Sequence, residues 1–227
     1  MNDSVVKEDK YENYLLVEGK DDKHVLSHLL GYHRIPQQFK IKNEHFEIKD
    51  HEGIDNLLSE KRLRTYLKID EMRRFGIIVD ADTNLTARWQ RVHDILNGLG
   101  YSSLPINPNP DGLILKEEGL PVAGIWLMPN NQISGALEDF VRFLVPSDDV
   151  LWPKAKNIVE EVKAIETDRR FHNVYESKAC IHTWLAWQKE PGKPMGVAIT
   201  ARYLDATTSH AQQLITWIRQ LFDLESA

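Results

Sequence analysis

The stretch Phe75-Gly76-Ile77-Ile78-Val79-Asp80-Ala81-Asp82 decides the fold. It is a continuous apolar run that stops on an acid. Such a run suits a central strand of a parallel sheet, buried on both faces. Working outward, Leu85 to Leu99 has helical spacing and ends at Gly100. On the other side, Ile54 to Ile69 carries apolar residues at 54, 57, 58, 63 and 67 and is expected to be one helix. Before it, Phe46-Glu47-Ile48-Lys49 reads as a strand. Asp21 to His33 reads as a helix, with Asp21 or Asp22 as the cap. Tyr14-Leu15-Leu16-Val17 reads as a first strand ending at Glu18-Gly19. The order β-α-β-α-β-α is the signature of a mainly parallel sheet with helices on its faces, an α/β fold.

Beyond Gly100 the character changes. Pro105 to Pro110 is a loop, and Leu113 to Leu127 holds two apolar runs split by Lys116-Glu117-Glu118-Gly119, a hairpin pattern. Gly135 to Val145, Ala155 to Ile165, Glu176 to Trp187 and His210 to Phe222 are expected helices, interrupted by Pro191-Gly192-Lys193-Pro194. The expected organisation is an α/β core over 1–148 and a helical C-terminal part over 149–227. No linker-like composition separates them, so the second part is expected to pack on the first.

The chain has 227 residues, 42% hydrophobic and 27% charged, with a formal net charge of −6. A chain of this length can bury a sizeable core without disulfides, and Cys180 is its single cysteine. No run approaches a membrane span, and the polar N-terminus lacks a signal-peptide core. A cytoplasmic protein without a membrane partner is expected. Net acidity argues against a simple nucleic-acid-binding module. It argues less against a metal-dependent enzyme, where bound cations neutralise clustered carboxylates. A basic stretch does occur at Lys61, Arg62, Arg64, Lys68, Arg73 and Arg74. The ordinary reading is a solvated helix face. The functional one is a nucleic-acid surface made by Lys61, Arg62, Arg64, Arg73 and Arg74.

The acids carry the chemistry. Side chains two apart on an extended chain point to one side, about 6.5 Å apart. Asp80 and Asp82 are therefore expected to share cations. Ligands of open parallel sheets bind outside the carboxyl ends of the strands, and Glu18 ends the first strand as Asp80 ends the third. If those strands are neighbours, three carboxylates converge, enough for Mg²⁺ with waters and phosphates completing its shell. The plainer reading of Asp82, ahead of Thr83-Asn84, is a cap or turn residue.

The motifs Leu15-Leu16-Val17-Glu18-Gly19-Lys20-Asp21-Asp22 and Ile77-Ile78-Val79-Asp80-Ala81-Asp82 resemble the signature of the Toprim superfamily, strongest over 12–145. In its OLD-type nuclease branch an acid follows the glutamate by four, and Asp22 matches. Trp184-Leu185-Ala186-Trp187-Gln188 and Pro191-Gly192 resemble a small bacterial Toprim-like family. The resemblance implies a Toprim-like (Rossmann-like) fold and a metal set of Glu18, Asp22, Asp80, Asp82 and Glu138. It implies Mg²⁺ or Mn²⁺ as cofactor and a nuclease acting on DNA or RNA. Glu138 comes from matching Gly135-Ala136-Leu137-Glu138-Asp139 to a later acidic site; the alternative is that Glu138 and Asp139 are first-turn helix acids. Lys178 matches a late lysine that stabilises phosphate charge, and the alternative role for Glu18 is general acid/base. OLD-type nucleases carry an ATPase domain, and this chain has no Gly-x-x-x-x-Gly-Lys-Ser/Thr loop. A separately encoded ATPase, in phage defence, is therefore the implied partner. A homodimer is the further partner expectation.

Two other readings remain. Asp80-Ala81-Asp82 after an apolar strand also resembles the haloacid-dehalogenase phosphatases, with Asp80 as nucleophile, although Asn84 departs from that pattern. A non-catalytic regulatory or assembly subunit is the third. His24 and His28 have metal-ligand spacing but no third partner in sequence. Cys180, Trp184, Trp187 and Trp217 are expected to be packing residues.

Overall fold

The computed structural model describes residues 12–35, 46–68, 72–166, 168 and 170–224. Its first half is β1 (Asn13–Val17), α1 (Lys20–Tyr32), β2 (Glu47–Asp50), α2 (Ile54–Leu57), α3 (Glu60–Leu67), β3 (Arg74–Asp80) and α4 (Leu85–Leu99). Then follow β4 (Leu113–Leu115), β5 (Val122–Met128), α5 (Leu137–Arg142), α6 (Trp152–Lys163), a 3-10 turn at Asn173–Tyr175, α7 (Glu176–Ala186), α8 (Met195–Thr200) and α9 (Ser209–Phe222). The five strands lie in the order β2-β1-β3-β5-β4, parallel except for β4, which runs antiparallel to β5. The expected α/β class, with a mainly parallel sheet and C-terminal helices, is the observed one.

The register sets the site. Val17 pairs with Asp50 on one side of β1 and with Ile78 on the other. From β1 the chain steps outward to β2, then crosses back over β1 to enter β3. The strand order therefore reverses between β1 and β3, the switch point where open α/β sheets bind ligands.

Alternation along the strands divides the core in two. Leu15, Val17, Ile78 and Trp126 face Val25, Leu26 and Leu29 of α1 and Leu214, Trp217 and Leu221 of α9. Tyr14, Leu16, Ile77, Val79 and Ile125 face Leu57, Leu63, Trp89, Val92 and Leu96 of α2–α4. Gly76 and Gly124 pair in register across β3 and β5. A Cβ on Gly124 would stand 2.5 Å from Leu221 and 3.0 Å from Trp217. The paired glycines thus form the shallow floor on which α9 lies.

Three expectations need correction. The helix expected over 54–69 is two helices: α2 ends at Leu57, and Ser59 caps α3 by accepting from the Arg62 N–H. A serine placed there competes for the backbone better as a cap than inside a helix; Ile69 lies outside the described residues. The helix expected from Gly135 is shorter, since Asp139 accepts from the Ala136 N–H and starts α5 at Leu137. Trp187 is 40% exposed, whereas Trp184 and Trp217 are buried. Helix α8 answers to no sequence expectation. Among the described residues no helix is long and apolar enough to cross a membrane.

Candidate functional site

Glu18 follows the last β1 residue, and Asp80 closes β3 beside it, so both leave the sheet at the switch point. Loop contacts bring the other acids to them. The Gly53 N–H donates to Glu18 O (2.9 Å), drawing in the turn after β2. The Asp82 N–H donates to Gly135 O (2.9 Å), drawing in the loop before α5 and with it Glu138. Ser177 Oγ donates to Asp139 Oδ1 (2.6 Å), which fastens α7 to α5 and sets Lys178 beside Glu138, Nζ to Oε1 3.1 Å. The result is a cleft of about 910 Å³ whose lining includes nine acidic residues and two lysines, Lys20 and Lys178.

The innermost acids are incompletely satisfied. Asp22 Oδ2 accepts from the Gly19 N–H (3.0 Å) at the start of α1, but Asp22 Oδ1 is sealed from solvent with no partner. Asp80 Oδ1 and Glu18 Oε2 are sealed and partnerless in the same way. A buried acceptor left unmet costs about 1–3 kcal/mol, more if charged, so such groups call for a ligand or ion. Their acidity reflects the strain. Burial, then the Glu18 charge, pushes Asp22 up to about 7. Burial, then the charges of Asp22, Glu18, Asp82 and Glu138, holds Asp80 well above the usual carboxylate range. Burial and Asp82 raise Glu18, against the opposing pull of Arg88. A cation reverses this logic. An all-carboxylate donor set with sealed, partnerless oxygens fits a hard divalent ion that keeps several waters.

The geometry is open. Among the described residues no three His, Cys, Asp or Glu side chains already stand in a metal-ligating group. Asp82 accounts for part of this. The strand ends at Asp80, and Asp82 has φ 52°, so extended-chain alternation does not extend to it. Its carboxylate forms an ion pair with Arg88 of α4 instead. Asn84, not Asp82, caps α4 by accepting from the Ala87 N–H (2.9 Å).

Glu138 lies in the first turn of α5 with its side chain 12% exposed in the cleft. Asp139 has both oxygens engaged, one at the start of α5 and one on Ser177. For Lys178, burial lowers the pKa, but the charge and hydrogen bond of Glu138 prevail and raise it. Lys61, Arg62, Arg64, Arg73 and Arg74 do not line the cleft. Arg64 pairs with Glu60 on α3 (2.7 Å), and Arg62 reaches Asn56. Arg73 pairs with Glu12 (3.0 Å), and Arg74 with Asp223 (3.2 Å). Arg74 begins the strand that Asp80 ends, which places it about 20 Å away. His28 Nδ1 meets Thr200 Oγ1 at 2.6 Å, a packing contact between α1 and α8.

Sequence reasoning missed Asp50 and Glu52, which line the cleft at the end of β2. The strand-end rule that singled out Glu18 and Asp80 applies equally to β2 and would have found them. It also missed Arg88, Lys20 and Ser177, whose roles depend on contacts between elements.

Fold and site define a doubly wound α/β protein with a carboxylate cleft at its switch point. The chain belongs to the family described as "Protein of unknown function (DUF3226)", whose model matches residues 12–223. No curated protein matches the sequence significantly. Among solved structures, the chain is similar to the C-terminal region of the OLD protein of Xanthomonas campestris pv. campestris. The identity is 13% and the TM-score 0.40, covering 95% of this chain and 98% of that one.

Proposed function

We propose that the cleft is a Mg²⁺- or Mn²⁺-dependent phosphodiesterase site of Toprim type, acting on DNA or RNA. The observation that carries this is the set of sealed, partnerless oxygens on Glu18, Asp22 and Asp80 at the switch point. Those three would hold the cation, with Asp82 and Glu138 next to them. Such an ion supplies positive charge where the phosphate gains negative charge. The chain's own residues supply the rest. Glu18, at the end of β1 beside Asp80, is the carboxylate placed to take and return a proton in the alternative where it does not hold the ion. Lys178, held by Glu138, presents a fixed ammonium to a phosphate oxygen. Asp22 and Asp139 brace the starts of α1 and α5, so the walls of the cleft are set before substrate arrives.

The OLD-type motifs extend the reading to a separately encoded ATPase partner in phage defence, which co-purification with endogenous proteins tests. The activity is tested with single- and double-stranded DNA and RNA in Mg²⁺ or Mn²⁺. Cleavage that disappears in Asp80→Ala is expected. Cleavage that survives it removes the assignment, and a phosphate trapped on Asp80 favours the haloacid-dehalogenase-like alternative.

A further inference from the structure

The Asp82 carboxylate, in the lining of the cleft, is paired with a cation of the protein's own on α4. Its partner Arg88 is sequestered, with a side chain 11% exposed against 55% for Asp82. Arg88 Nε is enclosed without an acceptor, so the guanidinium is incompletely satisfied and directed at Asp82. The backbone of Asp82 is fixed at φ 52° by its N–H bond to Gly135 O. Only rotation of its side chain can bring that carboxylate toward Asp80 and Glu18.

We infer that Arg88 is the positioning residue of the cleft: it holds the Asp82 carboxylate on α4 and keeps it out of the cation's shell until an ion competes for it. This rests on the reading of the carboxylates as a cation site. It accounts for two observations together. The acids gather in one cleft, yet no three of them among the described residues form a ligating group. A half-exposed ion pair is weak, and a divalent ion with unmet carboxylates around it outcompetes a single guanidinium. Side-chain rotation is fast, so the exchange needs no movement of the sheet. The neighbouring pair on α4, Arg91 with Asp55 at 2.8 Å, is more open, Asp55 being 88% exposed. It serves as a control for charge alone.

The test is Mn²⁺ binding to the full chain, read from the loss of the free-ion paramagnetic resonance signal, with metal alone. Arg88→Gln is expected to tighten binding about five-fold, and to do nothing in an Asp82→Asn background. Arg91→Gln is expected to change it less than two-fold. Arg88→Lys keeps the charge without the planar fork and is expected to fall between wild type and Arg88→Gln. If Arg88→Gln does not fold, the lysine variant in both backgrounds carries the same comparison. Unchanged or weaker binding in Arg88→Gln overturns the inference, as does equal tightening with and without Asp82, which is charge acting through space. Wild-type protein that takes up no Mn²⁺ overturns the cation reading itself, and the role of Arg88 with it.

Discussion

Lys178 Nζ stands 3.1 Å from Glu138 Oε1, and the pair joins α7 to α5 in the lining of the carboxylate cleft. It matches Glu138 with an ammonium, while Glu18 Oε2, Asp22 Oδ1 and Asp80 Oδ1 are left for a cation. If Lys178 acts on the phosphate, Lys178→Ala lowers turnover by roughly 100-fold, with Mn²⁺ affinity unchanged or tighter. Single-turnover cleavage beside a Mn²⁺ titration separates the two. A loss of metal binding equal to the loss of rate would make the lysine structural.

Asp22 offers a test in which stability and function move in opposite directions. Asn at this position keeps an acceptor for the Gly19 N–H but removes the charge. Metal-free Asp22→Asn is expected to be more stable than wild type at pH 8, by on the order of 2–4 kcal/mol, and to bind Mn²⁺ more weakly. Denaturant unfolding in chelator reads the first, and the metal titration the second. A less stable variant would mean that Asp22 is chiefly structural.

The same pair of proteins gives a pH dependence. The folded-state pKa of Asp22 is raised to about 7, so the folded chain holds that proton more tightly than the unfolded one. The stability this contributes is complete below the unfolded value of about 4 and is lost as pH rises to the folded value. The gap between metal-free wild type and Asp22→Asn should therefore open from about pH 4 and level off above about pH 7. With saturating Mg²⁺ it should shrink. A gap independent of pH contradicts the burial of a charged Asp22.

Much of this was legible in sequence, for a physical reason. The run Phe75 to Val79 is apolar because β3 is central and covered on both faces, and Leu85 to Leu99 forms α4 with the expected bounds. Glu18 and Asp80 could be placed because strand ends in a parallel sheet share one edge. What stayed hidden depends on tertiary contact or on very short pieces. Helix α8 has six residues, including Gly196, Val197, Ile199 and Thr200, too few to show a period and poor in helix formers. The turn at Asp82 was among the sequence readings, but its ion pair with Arg88 and its backbone bond to Gly135 were not. The basic residues from 61 to 74 look like one patch in sequence, but they are divided between α3 and the start of β3, and none lines the cleft.

Gly76 tests the scaffold apart from the chemistry. A Cβ there would lie 2.7 Å from Leu15, 2.8 Å from Leu221 and 3.3 Å from Trp217. Gly76→Ala is expected to destabilise the fold by about 1–3 kcal/mol, with Mn²⁺ affinity unchanged in the protein that remains folded. Urea unfolding measures the first. A neutral substitution would show that α9 does not press on the sheet at this point.

The most direct measurement is a crystal soaked in Mn²⁺ and read by anomalous scattering. A peak bounded by Asp80 and by Asp22 or Glu18, with carboxylate oxygens at about 2.1 Å, is the expected result. Crystals that diffract well at saturating Mn²⁺ and show no anomalous density between these three side chains would contradict the account.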